Sequence, residues 1–161
     1  DLIANLPYYI ATNIILRAFE DSACENIIVM VQKEVAEKFT ARVKEKEYSS
    51  LGIITELISI DSRILFDVPP ESFDPPPKVM SSILFIKKDM DKVLDKDFNK
   101  FLKACFVQPR KKLSKNLTSV LSKEAISEIY KELNINDNVR PHEVSSSLYS
   151  QMHTRVKDGR N

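Results

Sequence analysis

The chain has 161 residues, enough for one domain or a small domain with an appendage, and its 43% hydrophobic and 29% charged residues belong to an ordinary packed protein. That balance excludes a disordered tail and a collagen-like repeat. Twenty-four Lys and Arg against 23 Asp and Glu leave a formal net charge of +1, so a basic surface has to come from local segregation of charge.

In chain order, Asp1 to Leu6 reads as the end of a buried strand that Pro7 terminates, because proline has no amide to give to a sheet ladder. A helix is predicted from about Ala11 to Phe19, with Thr12 or Asn13 near its cap and Ile14, Ile15, Ala18 and Phe19 on one face. The unbroken apolar run NIIVMVQ, Asn26 to Gln32, predicts a strand covered on both sides, and with it a parallel sheet. Helical spacing follows at Val35, Ala36, Phe39 and Val43, then at Leu51, Ile54, Leu57 and Ile58. Ser62 to Val68 and Ser81 to Lys87 read as an antiparallel strand pair around the proline-rich stretch Pro69 to Pro77.

Beyond Lys88 the pattern becomes charged and helical. Phe98, Phe101, Leu102, Cys105 and Phe106 share one face, Leu113, Leu117, Val120 and Leu121 a second, and Ile126, Ile129, Tyr130 and Leu133 a third. A last helix starts at Ser145 and carries Leu148, Tyr149 and Met152. A boundary falls between Asp89 and Asp95, giving an α/β part over residues 1–90 and a small helical domain over 91–161.

Several classes of function drop out. Cys24 and Cys105 cannot build a disulfide framework and read as small structural hydrophobes, while His142 and His153 fit no zinc spacing and read as surface residues. No apolar run spans a bilayer and no secretory layout opens the chain, so a soluble cytoplasmic protein without metal or membrane is expected. Only Gly52 and Gly159 are present, where average usage of about 7% gives roughly eleven, and a G-x-G-x-x-G loop is therefore excluded. The chain opens at Asp1, without methionine and directly into a strand, and reads as a piece whose native beginning has been removed.

Two segments carry chemistry. In Asn5-Leu6-Pro7-Tyr8, an amide and a proline turn followed by an aromatic stand at the carboxyl end of a strand, where open α/β sheets bind ligands. The Asn5 side-chain oxygen and the Leu6 carbonyl offer two acceptors for an exocyclic amine. Held this way, adenine N6 is favoured in its pyramidal, nucleophilic form, and Tyr8 presents a face for an extruded base; such stacking is worth about 1–3 kcal/mol. The same tetrapeptide also suits a plain turn with Tyr8 packed in the core. Phe73-Asp74-Pro75-Pro76-Pro77-Lys78-Val79 is a stiff loop that holds Phe73 with little entropy to lose, either for a ligand or as a plug in the core.

With both segments present in this order, the chain resembles the KsgA-type small-subunit (16S) rRNA adenine N6,N6-dimethyltransferases, a group related to the large-subunit rRNA methylases of antibiotic resistance. The resemblance runs through N-L-P-Y-Y-I-A-T (Asn5 to Thr12), M-V-Q-K-E-V-A-E-K (Met30 to Lys38), F-D-P-P-P-K-V-M-S (Phe73 to Ser81), F-V-Q-P-R-K-K-L (Phe106 to Leu113) and R-P-H-E-V-S (Arg140 to Ser145). It implies the second half of a Rossmann-like methyltransferase domain followed by a small all-α domain that contacts RNA. Asn5 is then expected beside both S-adenosylmethionine and the target amine, with the Leu6 carbonyl as second acceptor, Pro7 shaping the turn, and Tyr8 and Phe73 on the faces of the adenine.

The implied reaction is dimethylation of two adjacent adenines near the 3′ end of small-subunit rRNA, by a monomer acting on a pre-30S-type particle. Most of the cofactor site of such enzymes precedes N-L-P-Y, so the 161 residues alone are expected to bind the cofactor poorly and to be inactive. A non-catalytic RNA-binding assembly factor and a large-subunit rRNA methylase are the rival readings.

Charge supports an RNA partner independently. From Phe101 to Lys123 there are six basic residues (Lys103, Arg110, Lys111, Lys112, Lys115, Lys123) and no acidic one. Arg110, Lys111, Lys112 and Lys115 are the expected RNA contacts, with Lys111 and Lys115 one helical turn apart and opposite Leu113 and Leu117. Where the related enzymes read Q-R-R-K, this chain has Gln108-Pro109-Arg110-Lys111, and Pro109 is expected to start the helix.

Overall fold

A computed structural model describes residues 1–160. The chain divides into two compact units, one formed by Asp1–Ala41 with Thr55–Leu94, the other by Arg42–Ile54 with the chain from Asp95 onward.

The first unit is built on a four-stranded mixed sheet of β1 (Leu2–Asn5), β2 (Asn26–Gln32), β3 (Ser59–Val68) and β4 (Ser81–Lys88), in the order β1-β2-β4-β3. β1 and β2 are parallel, joined by the crossover helix α1 (Tyr8–Glu20). β4 runs antiparallel to both β2 and β3, so the parallel expectation holds for one pair only. The expected antiparallel pair around the proline loop is present, with register shifts between Ser59 and Asp61 and between Ile64 and Phe66.

Burial alternates along β2 and β4. Ile27, Val29 and Val31 with Leu84 and Ile86 face α1 and α2 (Lys33–Thr40), against Ala11, Ile15, Phe19, Ala36 and Phe39. Burying each large apolar side chain there contributes about 1.5–3 kcal/mol. Phe19 and Phe39 meet edge to face with centroids 6.0 Å apart, which places both helices on one face of the sheet. The opposite face, with Ile28, Met30, Ile83 and Phe85, is half-buried, so the expectation of a strand covered on both sides fails for β2. Among the described residues β1 stands at one side of the sheet, with Ile3 and Asn5 exposed.

α1 begins three residues earlier than expected. Pro7, at φ −57°, is its N-cap, and no side chain caps it, so Thr12 and Asn13 lie within the helix rather than at its start. Its other end is closed from across the sheet, where the buried Lys88 donates from Nζ to the carbonyls of Ala18 (2.7 Å) and Asp21 (2.6 Å). Desolvation holds the Lys88 pKa below its ordinary value. α2 stops at Thr40 because Ala41 is extended, and Val43 is left exposed outside it.

The second unit packs α4 (Lys96–Cys105), α5 (Leu113–Leu117), α6 (Lys123–Leu133) and α7 (Ser146–Arg160) together with residues 42–54, the latter including the start of α3 (Ser50–Ile58). Its core holds Phe101, Leu102, Cys105, Leu113, Leu117, Tyr149 and Met152. Two buried hydroxyls are satisfied by backbone: Tyr48 donates to Val144 at 3.0 Å and Tyr149 to Pro141 at 2.7 Å. Burial pushes the Cys105 thiol up to about 12, which agrees with a structural cysteine. His153 is buried, against the expectation of a surface residue. Its Nε2 lies 2.9 Å from Asp97 Oδ2 and its ring packs on Phe98 and Phe101, a pairing across 56 residues that no local spacing announces.

α6 is capped at both ends, by Ser122 Oγ accepting from the Ala125 amide at 3.1 Å and by Asn134 at φ 55° in the left-handed region. Among the described residues no helix is long and apolar enough to cross a membrane, and no group of three His, Cys, Asp or Glu could hold a metal ion.

Asp95 caps α4 by accepting from the amides of Asp97 (2.9 Å) and Phe98 (3.4 Å). Burial raises its pKa, but those amides and the Lys157 ammonium outweigh burial and hold the carboxyl below its ordinary value of 3.8. A depressed carboxylate stabilises the fold above its unfolded pKa and loses that contribution as pH falls through the folded one. Asp95→Ala should therefore cost about 1 kcal/mol near neutral pH. In urea unfolding, the gap between wild type and variant should narrow as pH falls below the ordinary carboxyl value and through the lowered folded one; a gap that stays constant would show that the charge plays no part in the cap.

Candidate functional site

The ladder between β1 and β2 ends where Leu6 donates its amide to the Met30 carbonyl at 3.2 Å. The next residue, Pro7, has no amide to continue it, and the chain turns into α1 with Tyr8 as its first residue. On the neighbouring strand β2 passes directly into α2, and the Lys33 amide donates to the Met80 carbonyl at 2.9 Å, tying the end of the proline loop to the start of α2. The carboxyl ends of the two parallel strands and the amino end of β4 thus meet at one edge.

At that edge lies a hollow of about 360 Å³. Asn5, Leu6, Tyr8 and Phe73 all form part of its wall, together with Met30, Gln32 and the three prolines 75–77. Pro7 is not in the wall; it sets the turn. Neither aromatic is a core plug: Tyr8 is 67% exposed and Phe73 half-buried. Among the described residues the Asn5 side chain makes no hydrogen bond, so its amide is available to a ligand. The hollow can accept a flat ring between an aromatic side chain and a proline-braced loop, with polar atoms at the strand end. No Asp, Glu, His, Lys or Arg lines it.

The residues that brace the hollow were not visible as such in the sequence. Asp67, near the end of β3, accepts from Ser82 Oγ at 2.7 Å and pairs with Lys33 Nζ at 3.0 Å. The hydrogen bond from Ser82 and then that from Lys33 lower the Asp67 pKa, and Asp67 in turn raises that of Lys33. This triad ties together the two ends of the segment that carries Phe73. Met30 and Gln32 belong to the wall only because the pairing of β2 with β1 and β4 brings them there.

In the second unit, Arg110, Lys111 and Lys112 are exposed on an irregular turn, not on a helix. Pro109 does not start a helix; it sits second in a turn closed by the Lys111 amide donating to the Gln108 carbonyl at 2.9 Å, and α5 begins at Leu113. The expected one-turn helical spacing of Lys111 and Lys115 is absent for that reason, although Lys115 is exposed on α5 while Leu113 and Leu117 are buried. A residue that sequence reasoning missed holds this turn: the buried Asn116 accepts from the Gln108 amide at 2.7 Å and donates to the carbonyls of Gln108 (3.0 Å) and Lys112 (3.1 Å). Lys112 and Lys115 also line a second hollow of about 500 Å³, together with Lys123.

Residues 1–158 match the family model described as ribosomal RNA adenine dimethylase. The chain is 84% identical over its whole length to the ribosomal RNA small subunit methyltransferase A of Aliarcobacter butzleri, 61% of which it covers. It is 49% identical to the protein of the same name from Sulfurimonas denitrificans, over 99% of this chain and 60% of that protein. The corresponding figures for Campylobacter jejuni strain RM1221 are 46%, 98% and 59%. The chain therefore spans about three fifths of the length of these relatives.

Among solved structures, a dimethyladenosine transferase from Plasmodium falciparum superposes with a TM-score of 0.83 at 21% identity, over 97% of this chain and 66% of that one. The 23S rRNA methyltransferase ErmE gives 0.66 at 18% identity, over 96% and 64%. At such identities the likeness shows the fold alone, a Rossmann-like architecture with a mixed α/β sheet.

Asn116→Ala leaves the Gln108 amide without its partner and takes one donor from each of the Gln108 and Lys112 carbonyls, which keep their backbone bonds, a loss of about 1–3 kcal/mol. The expected signature is faster amide hydrogen exchange across residues 107–112 with α7 unaffected. Unchanged protection of that turn would show that Asn116 does not hold it.

Proposed function

Because this chain belongs to the ribosomal RNA adenine dimethylase family, we propose that the protein methylates N6 of two adjacent adenines near the 3′ end of small-subunit rRNA. The observation that carries this reading is the meeting of Asn5, Leu6, Tyr8 and Phe73 around one hollow at the carboxyl end of the parallel strands. The relatives' names favour a small-subunit substrate over a large-subunit one and over a factor without activity.

In this proposal an adenine extruded from the RNA enters between Tyr8 and Phe73, which contribute about 1–3 kcal/mol of stacking for each ring. Asn5 Oδ1 and the Leu6 carbonyl each accept one N6–H. Two acceptors fixed outside the ring plane draw the amine toward a pyramidal shape, which withdraws its lone pair from the purine and makes it a better nucleophile. The proline loop braces Phe73, so the face it offers is already in place before the base arrives. Among the described residues no acidic or basic side chain lines the hollow, and in this reading the amine loses its proton after methyl transfer, when the nitrogen carries the positive charge. S-adenosylmethionine, when bound, supplies the electrophilic methyl group. Of the residues present, Asn5 is the one we assign to its neighbourhood; neither Gly52 in α3 nor Gly159 in α7 stands at a strand-to-helix turn that would cradle it.

The sheet unit, Asp1–Ala41 with Thr55–Leu94, is thus assigned to the second half of the catalytic domain and the helical unit, Arg42–Ile54 with the chain from Asp95 onward, to RNA contact, so the expected continuous split into residues 1–90 and 91–161 is interrupted by the segment 42–54. Arg110, Lys111, Lys112 and Lys115 lie against phosphates in this reading. The proposed setting is the cytoplasm, on a pre-30S-type particle, with the protein acting as a monomer without metal.

In the full-length protein, Asn5→Ala should lower methyl transfer by about 100-fold or more while RNA affinity changes little; unchanged turnover would remove Asn5 from its role. Replacing Lys111 and Lys115 with Gln should reduce the slope of log K against log salt by roughly 1.4–1.8. A slope equal to that of the wild type would take the two lysines off the RNA.

A further inference from the structure

The second hollow lies between α5 and α6, and its wall combines three cations with an apolar floor. Lys112, Lys115 and Lys123 stand at it, Ile126 and Tyr130 are buried at its base, and Asp137 completes it. None of the three lysines is in an ion pair among the described residues. Tyr130 is 4% exposed, and its hydroxyl is the buried side-chain polar atom left without a hydrogen-bond partner among the described residues. Burial, then Cys105 and Asp137, push the Tyr130 pKa up against a smaller lowering influence of the Ser114 side chain, so the phenol stays protonated and keeps a proton to donate.

These features do not fit a patch that merely holds phosphate. At about 500 Å³ the hollow lies in the size range of small-molecule sites and would leave a lone phosphate largely surrounded by water. An apolar floor serves no purpose for an anion. A carboxylate at the wall opposes one directly, yet it suits the N–H edge of a base. We propose that this hollow seats one nucleotide of the RNA strand, with its phosphate among Lys112, Lys115 and Lys123, its base on Ile126 and Tyr130, and the Tyr130 hydroxyl and Asp137 carboxylate on its polar edge. The inference rests on the reading of the helical unit as an RNA-contacting one and deepens it from a charged surface to a pocket for a single unstacked nucleotide. Tyr130 and Lys123 join the recognition residues by this argument, and neither belongs to the Q-P-R-K-K element.

The test is isothermal titration of the full-length protein with guanosine 5′-monophosphate into the millimolar range, with guanosine and inorganic phosphate as separate arms. Guanine lacks the 6-amino group that the first hollow would hold, so the probe reports on the second. The nucleotide should bind at least tenfold more tightly than either part alone. Tyr130→Phe and Lys123→Gln should each weaken it at least threefold, and Tyr130→Phe should do so without lowering the melting temperature, because it removes an unpaired hydroxyl. No nucleotide binding, phosphate binding equal to that of the nucleotide, or unaltered affinity in both variants would overturn the pocket. Small-subunit rRNA binding measured in parallel separates the two ideas: retained rRNA affinity without nucleotide binding sinks the pocket alone, whereas loss of both sinks the RNA-contacting reading as well.

Discussion

Pro7 has no amide hydrogen, so the ladder joining β1 to β2 must end one residue earlier, at the bond from Leu6 to Met30. Much of the site depends on that constraint. The strand stops with the Asn5 amide at its tip, the backbone turns at once into α1, and Tyr8 is placed at the first position of the helix, beside the hollow rather than in the core. A second set of prolines acts on the opposite wall. Pro75, Pro76 and Pro77 cannot enter the ladder between β3 and β4, so the loop stays outside the sheet and holds Phe73 over the same edge. Where the loop joins the sheet, the Lys33–Asp67–Ser82 triad ties the ends together.

The two proline-bearing motifs were legible in the sequence because proline and aromatic residues act locally: each limits its own backbone or offers its own ring. The strands and helices were legible for the same reason, through period 2 and period 3.6. What the sequence concealed was whatever depends on two distant residues meeting. Met30 and Gln32 read as strand residues, and only the pairing of β2 with β1 and β4 makes them a wall. His153 meets Asp97 across 56 residues, a partner that nothing local announces, although its burial agrees with its place at i+4 from Tyr149 on the apolar face of α7. Tyr48 bonds to Val144 across 96 residues, which counts the segment 42–54 with the helices of the second unit rather than with the sheet it interrupts in sequence. The continuous apolar run of β2 misled for a related reason: it reports hydrophobicity on both faces, while only one of them carries the helices α1 and α2.

The basic turn shows how a proline standing in place of a cation sets the local structure, while Arg110 and Lys111 keep the charge that follows it. A proline at position 109 cannot sit inside a helix and here occupies the second position of a turn. Arg110 and Lys111 are therefore displayed on a loop, and Asn116, buried one turn into α5, supplies the order that a helix would otherwise give. Side-chain clasps of this kind leave no periodic trace, so the charge run was visible in the sequence and its support was not.

The claim on which the functional account turns is that the strand-end hollow holds an adenine by its amine and both faces. The most direct measurement is a crystal structure of the full-length protein with bound adenosine. The account predicts N6 within hydrogen-bond distance of Asn5 Oδ1 and the Leu6 carbonyl, with Tyr8 and Phe73 on opposite faces of the purine. Adenosine seated elsewhere, or seated in the hollow with N6 turned away from the end of β1, would contradict it.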